Sequence, residues 1–277
     1  MIAYKMINPN NKIPNIKNIL LVSSGKGGVG KSTVAVNLAI SMQQSGLKVG
    51  LLDADIYGPS LPVLLGENSY KLEVENEHFI PIRKFDIQSI SFGFLIDSNK
   101  AAIWRGAIVV KALKQMLFDS LWDNLDVLVI DMPPGTGDIH LSVAQSFPIT
   151  ANIFVTTPHY LAISDVCRSI QMYEQLNIPC LGFIQNMAYY ECSKCENKDY
   201  IFGNKAHSVL TLDHHLNHLG DIPLSSLIAE HSEQGIPDIL LNEKTKLLYQ
   251  NIVADLLAEL QLMPKARKNI IPQIVAI

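Results

Sequence analysis

The chain lacks any apolar run near the ~18 residues that a membrane-crossing helix needs. Its clean apolar runs are strand-sized, at 19–22 and 127–130. It also lacks a basic bias. Lys and Arg number 22 against 26 Asp and Glu, a formal charge of −4, which argues against a dedicated nucleic-acid binder. Cysteine is scarce: Cys167, Cys180, Cys192 and Cys195 are the four in 277 residues, too few for a disulfide scaffold. The N-terminal stretch MIAYKMINPNNKIPN has no apolar core of signal-peptide length, so a cytoplasmic chain with reduced thiols is the expectation. Residues 1–15 read as a polar lead-in. Residues 264–277 read as a tail in which Lys265, Arg267 and Lys268 precede an apolar stretch. Pro264 and Pro272 interrupt it, so a docked or loose tail is favoured over a membrane anchor. What is present is core-forming material: 48% hydrophobic residues against 17% charged, a composition that folds.

Hydrophobic periodicity lays strands and helices in alternation. Strands are expected at 18–23, 48–53, 85–92, 126–131, 151–156 and 180–186. Helices are expected at 31–44, 105–117, 139–147, 163–176 and 243–260. In the first helix Val34, Leu38, Ala39 and Met42 make one apolar face, and Gly46 ends it. The run at 126–131 is apolar throughout, as for a strand covered on both faces. Such alternation predicts an α/β fold, a doubly wound and mostly parallel sheet flanked by helices, forming one domain over 16–263. The segment 188–203 reads as an inserted loop or small flap.

Residues 25–32 read GKGGVGKS, between a strand and a helix. This satisfies G-x-x-x-x-G-K-[ST] through Gly25, Gly30, Lys31 and Ser32. The glycines let backbone N–H groups cradle phosphate oxygens, and the helix start adds its positive dipole end. Lys31 would pair with the β- and γ-phosphates of ATP, and Ser32 would offer its hydroxyl to Mg²⁺. Asp131 closes an apolar strand, where a metal-side carboxylate belongs. Asp53 and Asp55 follow the next strand two residues apart, so one side of the backbone is expected to present both, one of them orienting a water. Asp138 follows a glycine turn and could sense a γ-phosphate or cap the helix from Ile139.

Cys192 and Cys195 form C-x-x-C, two thiolates within reach of one metal centre. A tetrahedral Zn²⁺ or a [4Fe–4S] cluster wants four ligands, and a two-fold dimer turns two into four. From spacing alone Zn²⁺, an iron–sulfur cluster and a redox dithiol all remain open. Cys167 and Cys180 read as small core hydrophobes. His214, His215 and His218 could share a helix side, but no carboxylate or thiol completes a ligand set, and a solvated helix end is the better reading.

Several segments resemble a known family. GKGGVGKST, with its second lysine Lys26, is similar to the deviant Walker A of ParA/MinD-like ATPases. LLDADIYGPSLPVLLG (51–66), WRG (104–106), VIDMPPGTGDIHLSVAQ (129–145), VTTP (155–158) and QNMAYYECSKC (185–195) resemble a narrower group, the Mrp/ApbC-type iron–sulfur cluster carrier ATPases. The resemblance covers roughly 16–240. It implies an ATP-hydrolysing homodimer that holds a [4Fe–4S] cluster for apoprotein clients. A ParA/MinD-like positioning ATPase would instead bind DNA or a membrane, and the acidic balance and the tail prolines count against either nucleic acid or a membrane as a stable partner. Gly25, Gly27, Gly28, Val29, Gly30, Lys31, Ser32 and Thr33 would bind the nucleotide and Mg²⁺, and Lys26 would act across the dimer. Asp55 would orient the attacking water, Asp131 would be the Walker B carboxylate and Asp138 would sit in the second switch. Asn186 would contact the base, and Cys192 and Cys195 would carry the cluster, which moves the open choice of metal to iron–sulfur. Three features depart from the pattern. About 15 residues precede the motor where many bacterial members carry a further domain, so that domain's role is expected to be absent or supplied in trans. Ala107 stands where proline is more familiar. HHLNH at 214–218 is unlike the usual helix.

Overall fold

The computed structural model describes residues 13, 15–95, 106–192, 194–203 and 208–262. The lead-in up to residue 12, Trp104 and Arg105 of the WRG motif and the tail 264–277 lie outside them. An eight-stranded sheet runs through the middle in the order β12-β9-β8-β1-β7-β2-β6-β5. Its strands are β1 (Ile16–Ser23), β2 (Val49–Asp53), β5 (Ile82–Lys84), β6 (Ile87–Ser91), β7 (Leu125–Asp131), β8 (Ala151–Thr156), β9 (Cys180–Gln185) and β12 (His218–Asp221). All neighbours pair in parallel except β5, which runs antiparallel to β6 at the edge. Two short hairpins stand apart, β3 (Glu73–Glu75) with β4 (His78–Ile80) and β10 (Tyr190–Glu191) with β11 (Lys198–Asp199).

Apolar side chains fill both faces. One face is covered by α1 (Lys31–Gln44) and the closing helix Glu243–Leu262. The other is covered by α3 (Gly106–Phe118), α4 (Asp138–Ser146) and α5 (Tyr160–Gln175). A short α2 (Leu61–Leu64) follows β2. The expected single apolar face on α1 is too narrow: residues 34–42 are all buried. The closing helix lies beside α1 on the same face of the sheet, and α2 and the turn at Asp238–Leu240 also pack on α1, so 34–42 leave no face to water.

Two other expectations change. The strand expected at 85–92 is present as β6 but starts at Ile87, since Phe85 and Asp86 take left-handed φ of 51° and 59° and form the turn from the unexpected edge strand β5. The HHLNH stretch is no helix end. A π-helical turn at Ser208–Asp213 precedes it, His215 takes φ 54°, and His218 opens β12. His218 bonds Asp221 through Nε2 at 2.9 Å and lies 5.1 Å from the Phe183 ring, so the three histidines share no helix side. Among the described residues no helix is long and apolar enough to cross a membrane.

Candidate functional site

Parallel strands bring their carboxyl ends to one edge, and the phosphate loop is there, between β1 and α1. Gly30 has φ 80°, and a Cβ on it would meet Asn186 Nδ2 at 2.2 Å. Gly25 packs so closely on α5 that a Cβ would stand 2.4 Å from Asp165 Cβ. Close neighbours therefore demand both of these glycines, and at Gly30 the left-handed backbone demands one as well. A cleft of about 500 Å³ opens over the loop, lined by residues 26–33 with Ser24, Asp55, Pro59, Ser60, Val63, Leu64 and Pro134 among others. Lys26, all of 27–33 and Asp55 are thus together at one cavity.

The remaining expected residues sit around it. Lys31 Nζ lies 2.5 Å from Asp131 Oδ1, a pair almost wholly buried, and 3.4 Å from Ser32 Oγ. Asp131 Oδ2 is buried with no hydrogen-bond partner. An orphaned carboxylate oxygen beside a serine hydroxyl is the donor chemistry a magnesium ion takes, so these residues fit that cation. Asp53 and Asp55 do not present their carboxylates together. The chain leaves the strand after Asp53, and the period of two ends with it. Asp53 is fully buried and register-paired with Asp131. It accepts from the Ser91 hydroxyl at 2.8 Å and from the Asp55 amide at 3.0 Å. Burial, then the Asp131 charge, pushes the Asp53 carboxyl up to about 7. Asp55 reaches the cavity, where its Oδ1 accepts from the amides of Tyr57 and Gly58. Burial pushes its carboxyl up as well, against the pull of Lys31.

Asp138 is exposed and does not line the cleft. It does not cap α4 either: the helix begins at Asp138, and Gly137 holds the cap position. An acid in the first turn still favours the helix dipole. Asn186 sits beneath the phosphate loop, where its Nδ2 donates to the Val29 carbonyl at 2.8 Å.

Six residues beyond Asn186 the chain reaches Cys192, in the hairpin of β10 and β11. Cys192 N donates to Asn197 O and Glu196 N to Cys192 O, which folds the cysteines into a tight knuckle. The amides of Lys194 and Cys195 and the Cys195 side chain donate to the Cys192 sulfur and hold its thiol below the usual range. Cys195 is exposed. Among the described residues no group of three or more His, Cys, Asp or Glu could hold a metal ion, so one chain offers this centre two thiols. Tyr190, Tyr200, Ile201 and Phe202 expose apolar surface along the same segment. Cys167 and Cys180 are half-buried beside the core, and burial pushes the Cys180 thiol up to about 12. They behave as the small hydrophobes expected of them.

Sequence reasoning missed two polar residues near the site, His140 and Tyr173. They are buried and bonded to each other at 2.9 Å. A separation of 33 residues hides such a pair from any local pattern.

A phosphate loop on the carboxyl edge of a doubly wound sheet, with a buried lysine–aspartate pair beneath it, defines a P-loop NTPase. The model of one family, described as the NUBPL iron-transfer P-loop NTPase of the ParA group, matches residues 15–260. The chain belongs to that family. It is 45% identical over 231 residues to an iron-sulfur cluster carrier protein from Aquifex aeolicus, covering 83% of this chain. It spans 64% of that protein's length. It is 42% identical to the iron-sulfur cluster transfer protein NUBPL of Dictyostelium discoideum, covering 81% of this chain and 70% of that one. A nucleotide-binding protein in complex with ADP from Archaeoglobus fulgidus superposes with a TM-score of 0.72 at 35% identity, over 82% of this chain and 90% of that chain.

Proposed function

We propose that the chain is an ATP-driven carrier of iron–sulfur clusters. Two copies pair, and Cys192 and Cys195 of each supply four thiolates to one [4Fe–4S] cluster, which is the cargo handed to apoprotein clients. One observation carries the reading: the Asn186 side chain fastens the phosphate loop to the strand end that leads straight into the cysteine hairpin. What happens at the nucleotide is therefore felt six residues from Cys192. The exposed apolar segment beside the thiols supports a paired or client-bound state. The low Cys192 thiol supports its use as a ligand, because the thiolate is the ligating form.

In this reading the amides of 27–33 cradle the phosphates. Lys31 lets go of Asp131 Oδ1 to bind the β- and γ-phosphates, and Lys26 reaches the nucleotide of the second copy. Asp55 holds the water that attacks the γ-phosphorus, and ADP leaves with the displaced oxygen. Ser32 and Asp131 would hold Mg²⁺, which would neutralise charge on the phosphates. Asp138 lies in the segment that senses the γ-phosphate. Asn186 positions the loop and borders the base. Hydrolysis is slow because it serves switching, and the chain works in the cytoplasm.

The test is transfer from protein reconstituted without oxygen to an apo-acceptor, with and without ATP. ATP-dependent transfer, lost in Cys192→Ser together with the visible cluster absorbance, is the expected result. A C192S protein that still holds an oxygen-sensitive [4Fe–4S] chromophore would refute the placement of the cluster. Bound zinc in place of iron would refute the cargo.

A further inference from the structure

A buried chain of polar groups runs from the end of β1 to the segment 132–137. Ser23 Oγ, at the last residue of β1, lies 2.6 Å from Asn152 Oδ1 on β8 and 2.8 Å from Tyr173 Oη on α5. Tyr173 Oη lies 2.9 Å from His140 Nδ1 on α4, and His140 Nε2 lies 2.9 Å from the Pro133 carbonyl oxygen. Tyr173 and His140 are 0% and 1% exposed. Neither lines the cleft, and the reaction proposed above uses neither.

The protons can be placed in one way. The Pro133 oxygen only accepts, so Nε2 must carry hydrogen. Burial pushes His140 down to about 4, with the Lys31 charge adding to it and the Pro133 bond opposing it, so at neutral pH the ring is neutral and Nδ1 accepts. Tyr173 then donates to Nδ1 and accepts from Ser23. That uses the only proton Ser23 has. Asn152 must therefore present Nδ2 to the Ser23 oxygen, which a half turn of its amide provides. The turn also brings to Ser23 a nitrogen that is otherwise buried without a partner. Donation runs Asn152 to Ser23 to Tyr173 to His140 to Pro133. A buried chain with each link satisfied and one direction of donation resists rearrangement.

Its end point is the segment that covers the phosphate loop. Met132 N donates to Val22 O and Gly135 N to Ser24 O. Pro133 and Pro134 between them have no N–H, so only their carbonyls can be fastened. Pro134 lines the cleft. We infer that His140 is a positioning residue: through Nε2–H on the Pro133 carbonyl it holds segment 132–137 on the phosphate loop, and so sets where that segment meets the terminal phosphate of a bound nucleoside triphosphate. The inference rests on the reading of the cleft as an ATP site and adds to it the means of positioning one wall.

Amide exchange on the whole nucleotide-free protein reads this without turnover. His140→Phe, which keeps a flat ring and no donor, should speed exchange at Gly135 at least tenfold and leave Val34, whose amide bonds Gly30 O, within twofold. Tyr173→Phe, which frees the tautomer, should speed Gly135 severalfold and serves if H140F does not fold. His140→Gln can donate to Pro133 and accept from Tyr173, and should restore exchange to within threefold. In ATP turnover H140F should lower kcat at least tenfold, with ADP affinity within threefold, and H140Q should recover most of it. Unchanged Gly135 exchange in both H140F and Y173F would overturn the inference. So would equal acceleration at Gly135 and Val34, or failure of H140Q to restore. A wild-type chain that bound no ATP would refute the nucleotide reading, while Gly135 exchange would still decide the role of His140.

Discussion

Replacing His140 by Gln should change how stability depends on pH more than it changes stability at neutrality. The ring is 1% exposed and its pKa falls from 6.5 to about 4 through burial, with the Lys31 charge in support and the Pro133 bond opposing. At pH 7 the imidazole is neutral in the folded chain and about three-quarters neutral in the unfolded one, so it contributes little to the slope. As pH falls below 6.5 the unfolded chain takes up a proton that the folded chain refuses, so the fold loses stability until pH reaches the folded value near 4. Integrated from pH 7 to pH 5, this linkage removes about 2 kcal/mol. Gln fills a similar space, can keep both hydrogen bonds and does not titrate. Urea unfolding of wild type and H140Q at pH 7, 6 and 5, with equal m-values, isolates the difference because all other groups titrate alike in both. Wild type should lose about 2 kcal/mol more than H140Q between pH 7 and 5. A difference that is constant with pH within about 0.5 kcal/mol would refute the assignment of a neutral, buried His140, and with it the proton order along the chain to Pro133.

Asp53 carries the opposite sign. Burial and the Asp131 charge raise its carboxyl from 3.8 to about 7, so its contribution is present below 3.8 and is lost as pH rises towards 7. The stability of Asp53→Asn relative to wild type should therefore improve from pH 5 to pH 7.5 in the same urea assay, and a fall would contradict the burial argument. Gly25→Ala should cost about 1–3 kcal/mol by overpacking, because the new Cβ would meet Asp165 Cβ at 2.4 Å; wild-type stability would show that the loop and α5 separate freely. Lys31→Ala should weaken ADP binding about 10- to 100-fold, the worth of a charge-assisted hydrogen bond, measured by calorimetric titration; unchanged affinity would remove Lys31 from the phosphate site.

The alternation of apolar runs with amphipathic ones was enough to name a doubly wound sheet, because periods of 2.0 and 3.6 are local properties of the chain. The phosphate loop was legible for the same reason. Its glycines, lysine and serine are contiguous, and their geometry follows from one strand, one turn and one helix start. The cysteine knuckle was legible too, since Cys192 and Cys195 are three residues apart. Where the reading slipped, a distant segment had intervened. Residues 34–42 are buried on all sides because the closing helix, two hundred residues later, packs on α1. The strand expected at 85–92 begins only at Ile87 because Phe85 and Asp86 adopt left-handed φ, and edge pairing of β5 with β6 rewards that turn.

The sequence by itself determined the fold class, the phosphate-binding turn and the two-thiol centre, since each lies within a few residues of chain and needs no partner to be recognised. Only the tertiary structure decided what surrounds them. It set Asp53 against Asp131, sent Asn186 to the Val29 carbonyl, and joined Ser23, Tyr173 and His140 into one buried chain. These are contacts across 78, 157 and up to 150 residues. They exist because parallel strands gather their carboxyl ends at one edge, where polar groups shut away from water must find one another.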